Sequence, residues 1–466
     1  AEFRSALEFL WRVRNELHFR AGRRNDQMSF EQQEQVAVAF EYAVEGEENA
    51  DLPVERFMRD YYLHARVVKN LSELVIDQCA ARCQKGTPTH EVREVEEGFR
   101  LSGAHLEIPH GAHLRERPVR LLEVFEIAQR HDVPLSRMAT RLVRENLSLV
   151  DQAFQESPES CASFLRILDS EKRVMRTLVA MNEVGLLAAF LPEWAHIVCR
   201  WQHIVFHTYT VDVHSIFLVE ELRRLWRGKY EEQMPGLSSL VLEVVDRPAL
   251  FLGCLLHDIG KGFGGNHSEK GVERARLTLD RLGLDEERKE RVLFLVRHHL
   301  LMSHLAQRRD LSDPKMILDF ARLCGDRRNL RALYLLTFAD IRASSRDAWN
   351  EWKGQLLEEM FSRTSEFLEI GGDDPEKAVE IIESRVELRR DAATVALREL
   401  GVADASIDSF FSEMPRRYFV SHTPKQIVRH TRVVMEFGGE APFSSSFREM
   451  RGNFSEFILC TRDEQG

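Results

Sequence analysis

Apolar positions recur at helical spacing along most of this chain. An apolar face that repeats every three to four residues predicts amphipathic α-helices, the first at residues 1–19. The same spacing predicts helices over EQQEQVAVAFEYA, over VERFMRDYYLHARVVKNLSELVIDQCAARC, and over 121–129, 135–148, 161–168 and 171–190. A looser stretch at 85–118 departs from the pattern, and its LEIPHGAHL segment is a candidate for a short strand pair. The pattern predicts an all-α fold.

The stretch FLGCLLHDIGKG at 251–262 combines the pattern of a buried helix with candidate chemistry. The apolar run places His257 and Asp258 side by side, and a buried imidazole and carboxylate need a compensating partner. A divalent cation compensates them better than a lone lysine does. Gly260 and Gly262 let the backbone approach a ligand, and Lys261 can meet a phosphate as a point charge. The alternative is a helix C-terminus with a capped histidine.

Other candidate ligands flank this stretch. His203 and His207 are four residues apart, and His207 and His214 are seven apart, which suits one helix face. For the first pair, a polar approach loop is the alternative. Later candidates are His267 in a glycine-rich loop, His298 and His299 in mid-helix, and Asp340 on an apolar helix. Burying so many polar groups without compensation would cost several kcal/mol, which favours a shared cation.

The last part of the chain is richer in charge. Helices are predicted over 349–369, 375–400 and 405–413, and their charge runs are typical of solvated faces. Thr423 and Pro424 predict the cap and the start of one more helix. Residues 438–453, rich in Gly and Ser, are predicted to be a linker, and 454–461 has strand character.

Composition narrows the class of protein. The chain has 466 residues, which indicates about two to four domains, and a net charge of −11, which disfavours generic binding to nucleic acid or an anionic membrane. Its seven scattered cysteines contain no CxxC pair and suggest reduced thiols in the cytoplasm. No apolar run reaches the length of a membrane span, and no signal peptide is evident.

The order His214, His257–Asp258 and Asp340 resembles the signature of the HD phosphohydrolase superfamily, helical proteins that bind divalent metal and mostly cleave phosphate esters. The sequence segments around these residues point to a more specific family. FHTYTVDVH, HDIGKGFGGNHS, VRHHLLMSHLAQRRDLSDP, TFADIRASSRDAWNEWK and RYFVSHTPKQIVRH resemble the bifunctional uridylyltransferase/uridylyl-removing family, which acts on the PII signal protein. The N-terminal FLWRVRNELHFRAGRRNDQMSFEQQEQVA resembles the helical region after that family's nucleotidyltransferase core.

The resemblance implies a division into domains. We expect a helical domain over 1–192, an HD-type metal-binding helical domain over 193–348 and a charged helical extension over 349–437. A linker over 438–453 would lead to the first strand of an ACT domain over 454–466. The nucleotidyltransferase core and the remaining ACT sequence are expected to lie outside the chain, which begins without Met. We therefore expect uridylyl removal without uridylyl transfer.

The resemblance also implies a set of site residues. One metal ion would be held by His214, His257, Asp258 and Asp340, and a second by His267 and His299 with Asp258 as a bridge and His298 as a further candidate. Lys261 and Asp258 would act in catalysis. His207, Arg308 and Arg309 would contact the substrate, although an exposed basic turn is an alternative for the two arginines.

The expected activity is metal-dependent hydrolysis of the uridylyl-tyrosine phosphodiester on PII, which releases UMP and serves nitrogen regulation. Mn²⁺ or Mg²⁺ is the expected ion, in a mononuclear or binuclear site, with Fe or Zn as alternatives. Neither nucleic acid nor membrane is an expected partner. Two other functions stay open: hydrolysis of a free nucleotide or cyclic dinucleotide, and a regulatory module that only binds metal or nucleotide.

Overall fold

The computed structural model describes residues 2–42, 52–83, 92–202, 209–311, 313–345, 348–371, 375–414, 418–419, 422–437, 443–448 and 455–460. These parts of the chain are predominantly helical, with 22 α-helices and five short strands. The predicted all-α fold class is therefore confirmed. Within the described ranges, no helix combines the length and the apolar character needed to cross a lipid bilayer.

The chain divides into two compact units, each described by itself below. The first comprises Ala1–Gln307 and Arg331–Leu357. Its helices up to the middle of the chain are α1 (Glu2–Ala21), α2 (Phe30–Ala39), α3 (Pro53–Cys83), α4 (Gly111–Glu116), α5 (Arg120–Arg130), α6 (Arg137–Glu145), α7 (Gln152–Glu156), α8 (Pro158–Asp169), α9 (Val174–Val184), α10 (Leu186–Phe190) and α11 (Val211–Trp226). They are followed by α12 (Pro235–Leu242), α13 (Arg247–Leu256), α14 (His267–Arg281), α15 (Glu286–His298) and α16 (Leu301–Arg308), whose last residue is assigned to the second unit.

The second unit comprises Arg308–Leu330 and Glu358–Gly466. Helices α18 (Arg327–Ser344) and α19 (Glu351–Gly371) belong partly to each unit. The others in the second unit are α17 (Pro314–Cys324), α20 (Pro375–Glu399), α21 (Asp404–Glu413) and α22 (Pro424–Phe437). Helices α20 and α22 pack together, and buried side chains of α20 and α21 form a core with Phe419 and Ile427.

Two small antiparallel sheets accompany the helices. Strands β1 (Val92–Glu94), β2 (Arg100–Ser102) and β3 (His105–Glu107) form one sheet in that order. The predicted strand pair in LEIPHGAHL is thus displaced, because only the first two residues of that segment lie in β3 and its last four begin α4. The structure also corrects the predicted linker at 438–453. Strand β4 (Phe443–Arg448) lies within it and pairs with β5 (Ser455–Cys460).

A further correction concerns the single helix predicted over 171–190. The structure has two helices there, α9 and α10, because Gly185 takes a left-handed conformation at φ +90° that ends α9. The first of them starts only at Val174. The spacing of apolar residues does not indicate that a glycine within the pattern has a left-handed conformation and ends the helix.

The core of the first unit positions the N-terminus of α11. The indole Nε1 of Trp194 donates a hydrogen bond to Asn182 Oδ1 over 2.9 Å, and Asn182 Nδ2 donates to Asp212 Oδ2 over 2.8 Å. All three side chains are buried. Because this chain of hydrogen bonds ends in the first turn of α11, it fixes the turn that carries His214.

Candidate metal centre

Helix α13 places His257 and Asp258 in the interior of the first unit. Asp246 caps its start by accepting a hydrogen bond from the amide of Ala249, and every residue from Ala249 to Leu256 is buried. Helix α13 packs against α11 and α15. His257 follows the last helical residue and is completely buried. The predicted delivery of this histidine by a buried helix end is confirmed.

The orientation of His257 follows from its own helix. Its Nδ1 lies 2.7 Å from the carbonyl oxygen of Cys254, and because a carbonyl only accepts, this nitrogen carries the proton. His299 repeats the arrangement, with Nδ1 2.8 Å from the carbonyl oxygen of Val296. In the neutral form of both rings, Nε2 therefore carries no proton, and its lone pair is available to bind a cation.

The first group of candidate ligands is formed by His214, His257 and Asp340, with ligand atoms within 4.8 Å of one another. Oδ1 of Asp340 lies 2.9 Å from Nε2 of His214 and 3.8 Å from Nε2 of His257. These residues come from α11, the end of α13 and α18, so three separate helices meet at this point. Two imidazoles and one carboxylate are a donor set typical of a divalent transition metal.

The second group is formed by Asp258, His267 and His299, again with ligand atoms within 4.8 Å. Oδ1 of Asp258 lies 3.8 Å from Nε2 of His267 and 3.7 Å from Nε2 of His299. His267 opens α14, and His299 follows α15 rather than lying in mid-helix as predicted. The helix ends there, so the ring can point toward Asp258.

Asp258 connects the two groups. While its Oδ1 faces the second group, its Oδ2 lies 3.0 Å from Nε2 of His257 in the first. The same Oδ2 lies 2.8 Å from Nζ of Lys261, and that ammonium group also donates a 2.6 Å hydrogen bond to Oε1 of Gln202. A carboxylate with one oxygen toward each group can bridge two cations.

The carboxylates of the centre are held ionised. Burial opposes ionisation of Asp258, yet His257 and Lys261 outweigh it and hold the pKa of this carboxyl well below its usual value. Burial opposes ionisation of Asp340 as well, and the hydrogen bond from His214 lowers its pKa strongly. The centre therefore presents two ionised carboxylates, one buried and one partly exposed, and such a pair attracts a cation.

The imidazoles differ from one another. Burial lowers the pKa of His299 to about 4 and also lowers the pKa of His267, so both rings are neutral at physiological pH and able to bind metal. Burial opposes the charged form of His257 too, but the neighbouring Asp258 raises the pKa of this ring above its usual value. At His257 a proton and a metal ion therefore compete for Nε2.

The donor atoms fit a divalent cation. Among the described residues, the buried Nε2 atoms of His267 and His299 make no hydrogen bond, although each faces Asp258. Buried nitrogen atoms without partners are costly, and a metal ion between them and the carboxylate satisfies all three. Such an ion would supply a bound water of lowered pKa and offset charge on a phosphoryl group.

Among the described residues, the other predicted site residues belong to neither group of ligands. His298 is half-buried against the ring of Phe294, at 5.0 Å between centroids, and belongs to neither group of ligands. Burial lowers its pKa. Arg308 and Arg309 are exposed at the end of α16 and belong to the second unit. His207 lies outside the described residues, as does His203.

Two residues of the centre were not predicted. Gln202 fixes Lys261, and Arg200, 4% exposed, packs its guanidinium over Gly262, where an added Cβ would lie 1.8 Å from Arg200 Cζ. Both precede α11 in the chain. No periodic pattern marks them, because they act through contacts between segments about sixty residues apart.

Four models of known protein families match parts of the chain. The model of GlnD PII-uridylyltransferase matches residues 1–76, that of the uridylyltransferase GlnD third domain 99–190, and that of the GlnD fifth domain 382–433. The HD domain model matches 216–324. The two groups of ligands and this HD match together indicate divalent-metal binding.

Individual relatives agree with the domain matches. The bifunctional uridylyltransferase/uridylyl-removing enzyme of Azotobacter vinelandii is 36% identical over 93% of this chain and 48% of its own length. The enzyme of the same name from Nitrosococcus oceani is 36% identical over the same shares. The chain thus spans about half the length of the curated relatives that it matches.

Among solved structures, a tRNA-processing enzyme in an apo form is similar at a TM-score of 0.39 and 14% identity, over 63% of this chain and 70% of that one. A likeness of this size carries no argument about function. The sequence matches are sufficient: the chain belongs to the GlnD family of bifunctional uridylyltransferase/uridylyl-removing enzymes and contains an HD domain.

Proposed function

We propose that this chain hydrolyses the uridylyl-tyrosine phosphodiester of the PII signal protein and releases UMP. The observation that carries the proposal is the convergence of two groups of ligands on Asp258, with Lys261 against the same carboxylate. A pair of adjacent divalent ions suits phosphodiester hydrolysis because it offsets charge on both the attacking and the leaving oxygen. Uridylyl removal, the second activity in the name of the Azotobacter vinelandii relative, is a reaction of this class.

The residues of the two groups would bind the ions as follows. His214, His257 and Asp340 would hold one ion, His267 and His299 the other, and Asp258 both. Water would attack phosphorus as the bond between phosphorus and the tyrosine oxygen breaks, and the phenol would take up a proton. We propose Mn²⁺ or Mg²⁺ as the ion; mixed nitrogen and oxygen ligands favour Mn²⁺ of the two.

Lys261 would stabilise negative charge that grows on the phosphoryl oxygens. Its ammonium group is held between Asp258 and Gln202, at 2.8 Å and 2.6 Å, so little reorganisation is needed when the substrate binds. Arg308 and Arg309 are proposed to contact the substrate, either its phosphate or an acidic protein surface, because exposed guanidinium groups suit both. His207 is proposed as a further substrate contact on the sequence alone.

The direct test is an assay of UMP release. Purified chain mixed with uridylylated PII and Mn²⁺ is expected to release UMP, detected by chromatography, and chelation by EDTA is expected to stop the release because the activated water depends on the cation. His105→Ala, which removes an exposed histidine on β3, serves as a control with unchanged activity. No release with Mn²⁺, Mg²⁺, Fe²⁺ or Zn²⁺ contradicts the proposal, and turnover of free nucleotides or cyclic dinucleotides alone favours a different HD hydrolase.

A second prediction concerns Lys261. Lys261→Met is expected to lower kcat for UMP release by about a hundredfold while metal content stays at the level of the unaltered protein, because a preorganised charge near the reacting centre is lost but no ligand is. The measurements are steady-state kinetics and elemental analysis. Lys289→Met, which removes a half-buried lysine that is likewise paired with an aspartate, Asp280, is the matched control. Unchanged kcat in Lys261→Met excludes this role.

A further inference from the structure

A strongly basic cavity lies in the first unit, away from the metal centre. It has a volume of about 480 Å³, in the range of ligand-binding pockets. Six basic and three acidic side chains line it together with Met175: Lys172, Arg173, Arg176, Arg224, Arg227 and Lys229, with Asp132, Glu171 and Glu220. In a chain with a net charge of −11, this local excess of positive charge needs an explanation.

A buried arginine, Arg223, holds the turn that contributes Lys172 and Arg173 to the lining of the cavity. Arg223 is 5% exposed and donates hydrogen bonds to the backbone carbonyl oxygens of Ser170, at 2.8 Å, and Glu171. Burial lowers the pKa of Arg223 to about 10, so it still carries a charge at neutral pH. This arginine ties the turn between α8 and α9 to α11, and the turn presents Lys172 and Arg173 to the cavity.

The acidic residues neutralise only part of the positive charge. Arg173 pairs with Asp132 at 3.3 Å and Arg227 with Glu220 at 3.4 Å, whereas Arg224 pairs with Glu220 at 3.6 Å and more closely with Glu221 at 2.6 Å. Within the described ranges of the chain, Lys172, Arg176 and Lys229 form no ion pair. Like charges gathered in one concavity repel one another unless an anion lies between them.

An aromatic cleft adjoins the basic cavity. It has a volume of about 280 Å³ and is lined by Trp226 and Phe251 together with four charged residues, of which Glu171 and Arg227 also line the basic cavity. The two rings meet edge to face at 5.6 Å between centroids and 84° between planes. Trp226 is half-buried. An aromatic ring beside a set of guanidinium groups can contact a planar base while the cations bind phosphate.

We propose that this cavity is a second ligand site, which binds a nucleoside polyphosphate. The phosphates would lie among Arg176, Arg227 and the two lysines, because guanidinium groups bind phosphate through paired hydrogen bonds and ammonium groups add point charges. The base would lie against Trp226. The lining has three more basic than acidic side chains, and one phosphate group carries a charge of about −2, so a ligand with two or more phosphate groups matches the excess more fully.

The site goes beyond the proposed hydrolase activity and is independent of it. Helix α11 carries His214 in its first turn, whereas Arg224 lies ten residues later, about 15 Å along the helix axis. The ligand would therefore not reach the metal centre. It would instead contact the far end of a helix that supplies a metal ligand, which is a suitable place for an effector.

Calorimetric titration tests the proposal. The metal-free protein in EDTA is titrated with ATP, sodium tripolyphosphate and inorganic phosphate at low and at high salt. We expect ATP to bind at least as tightly as tripolyphosphate, inorganic phosphate to bind much more weakly, and all binding to weaken with salt. The double variant Arg176→Glu/Lys229→Glu is expected to weaken ATP binding by more than about tenfold, because two attractive contacts become repulsive.

Two controls make the outcomes decisive. Arg4→Glu/Arg93→Glu reverses two exposed charges elsewhere with the same change in net charge and should leave ATP binding unchanged. Asp258→Ala should also retain it, which separates this site from the metal centre. The proposal is overturned if ATP and tripolyphosphate fail to bind at millimolar concentration, if the cavity double variant binds ATP as the unaltered chain does, or if both double variants weaken binding equally.

Discussion

Replacing Asp258 with alanine is expected to empty both metal positions and to lower UMP release by about a thousandfold or more. The carboxylate faces His257 with one oxygen, and His267 and His299 with the other, and among the described ligands no other carboxylate has an oxygen toward each group. Elemental analysis after loading with Mn²⁺ gives the number of bound ions, and circular dichroism verifies that the helices are retained.

His299→Ala is the informative comparison. His299 belongs only to the second group, so its loss is expected to empty that position and leave one ion bound by His214, His257 and Asp340 together with Asp258. Exposed His105→Ala should bind as much metal as the unaltered chain. Full metal content in the Asp258 variant, or complete loss of metal in the His299 variant, would contradict a bridging carboxylate.

Gly260→Ala is expected to destabilise the first unit by about 3 kcal/mol or more and to abolish the second metal position. A Cβ at Gly260 would lie 2.0 Å from the carbonyl oxygen of His267 and 2.4 Å from the amide nitrogen of Gly271. Both neighbours are backbone atoms of α14, so no side-chain rotation relieves the overlap. The helix that carries His267 must move, and the ligand moves with it.

Urea unfolding and elemental analysis check the Gly260 prediction. Gly111→Ala is a matched control, because its Cβ would meet only side-chain atoms, at 3.4 Å or more. Gly111 also lies in helix α4, and alanine is favoured over glycine in a helix. We expect this control to unfold at the same urea concentration as the unaltered chain or at a higher one. A Gly260→Ala protein with unchanged unfolding and full metal content would show that α14 can shift without cost.

Much of the helical fold could be predicted from spacing. Helices α1, α5, α20, α21 and α22 agree with prediction within a few residues, because each presents one apolar face and has clear start or stop signals. The errors arise where backbone geometry overrides composition. Gly185 ends a helix inside a continuous apolar pattern. Strand β4 forms in a serine-rich segment, because strands pair through backbone N–H and C=O groups, which serine also provides.

The candidate centre was predicted less completely. Six of the seven predicted metal ligands lie in the two groups. Most of them could be predicted because they stand next to an apolar stripe in the sequence. The exception is His298, whose ring packs against Phe294 instead. Because adjacent residues at a helix end point in different directions, the sequence could not select between His298 and His299. Gln202 was missed because its role depends on contact with the distant Lys261.

The carbonyl-bound rings of His257 and His299 also bear on how fast a metal ion enters. Each Nδ1 is held by a carbonyl oxygen of its own chain three residues earlier, so ring orientation is set before any ion arrives. No slow rearrangement of these two ligands then precedes capture, and the exchange of water from the incoming ion limits the rate. Mg²⁺ gives up its water reluctantly, so it should load more slowly than Mn²⁺ into the same preformed cage.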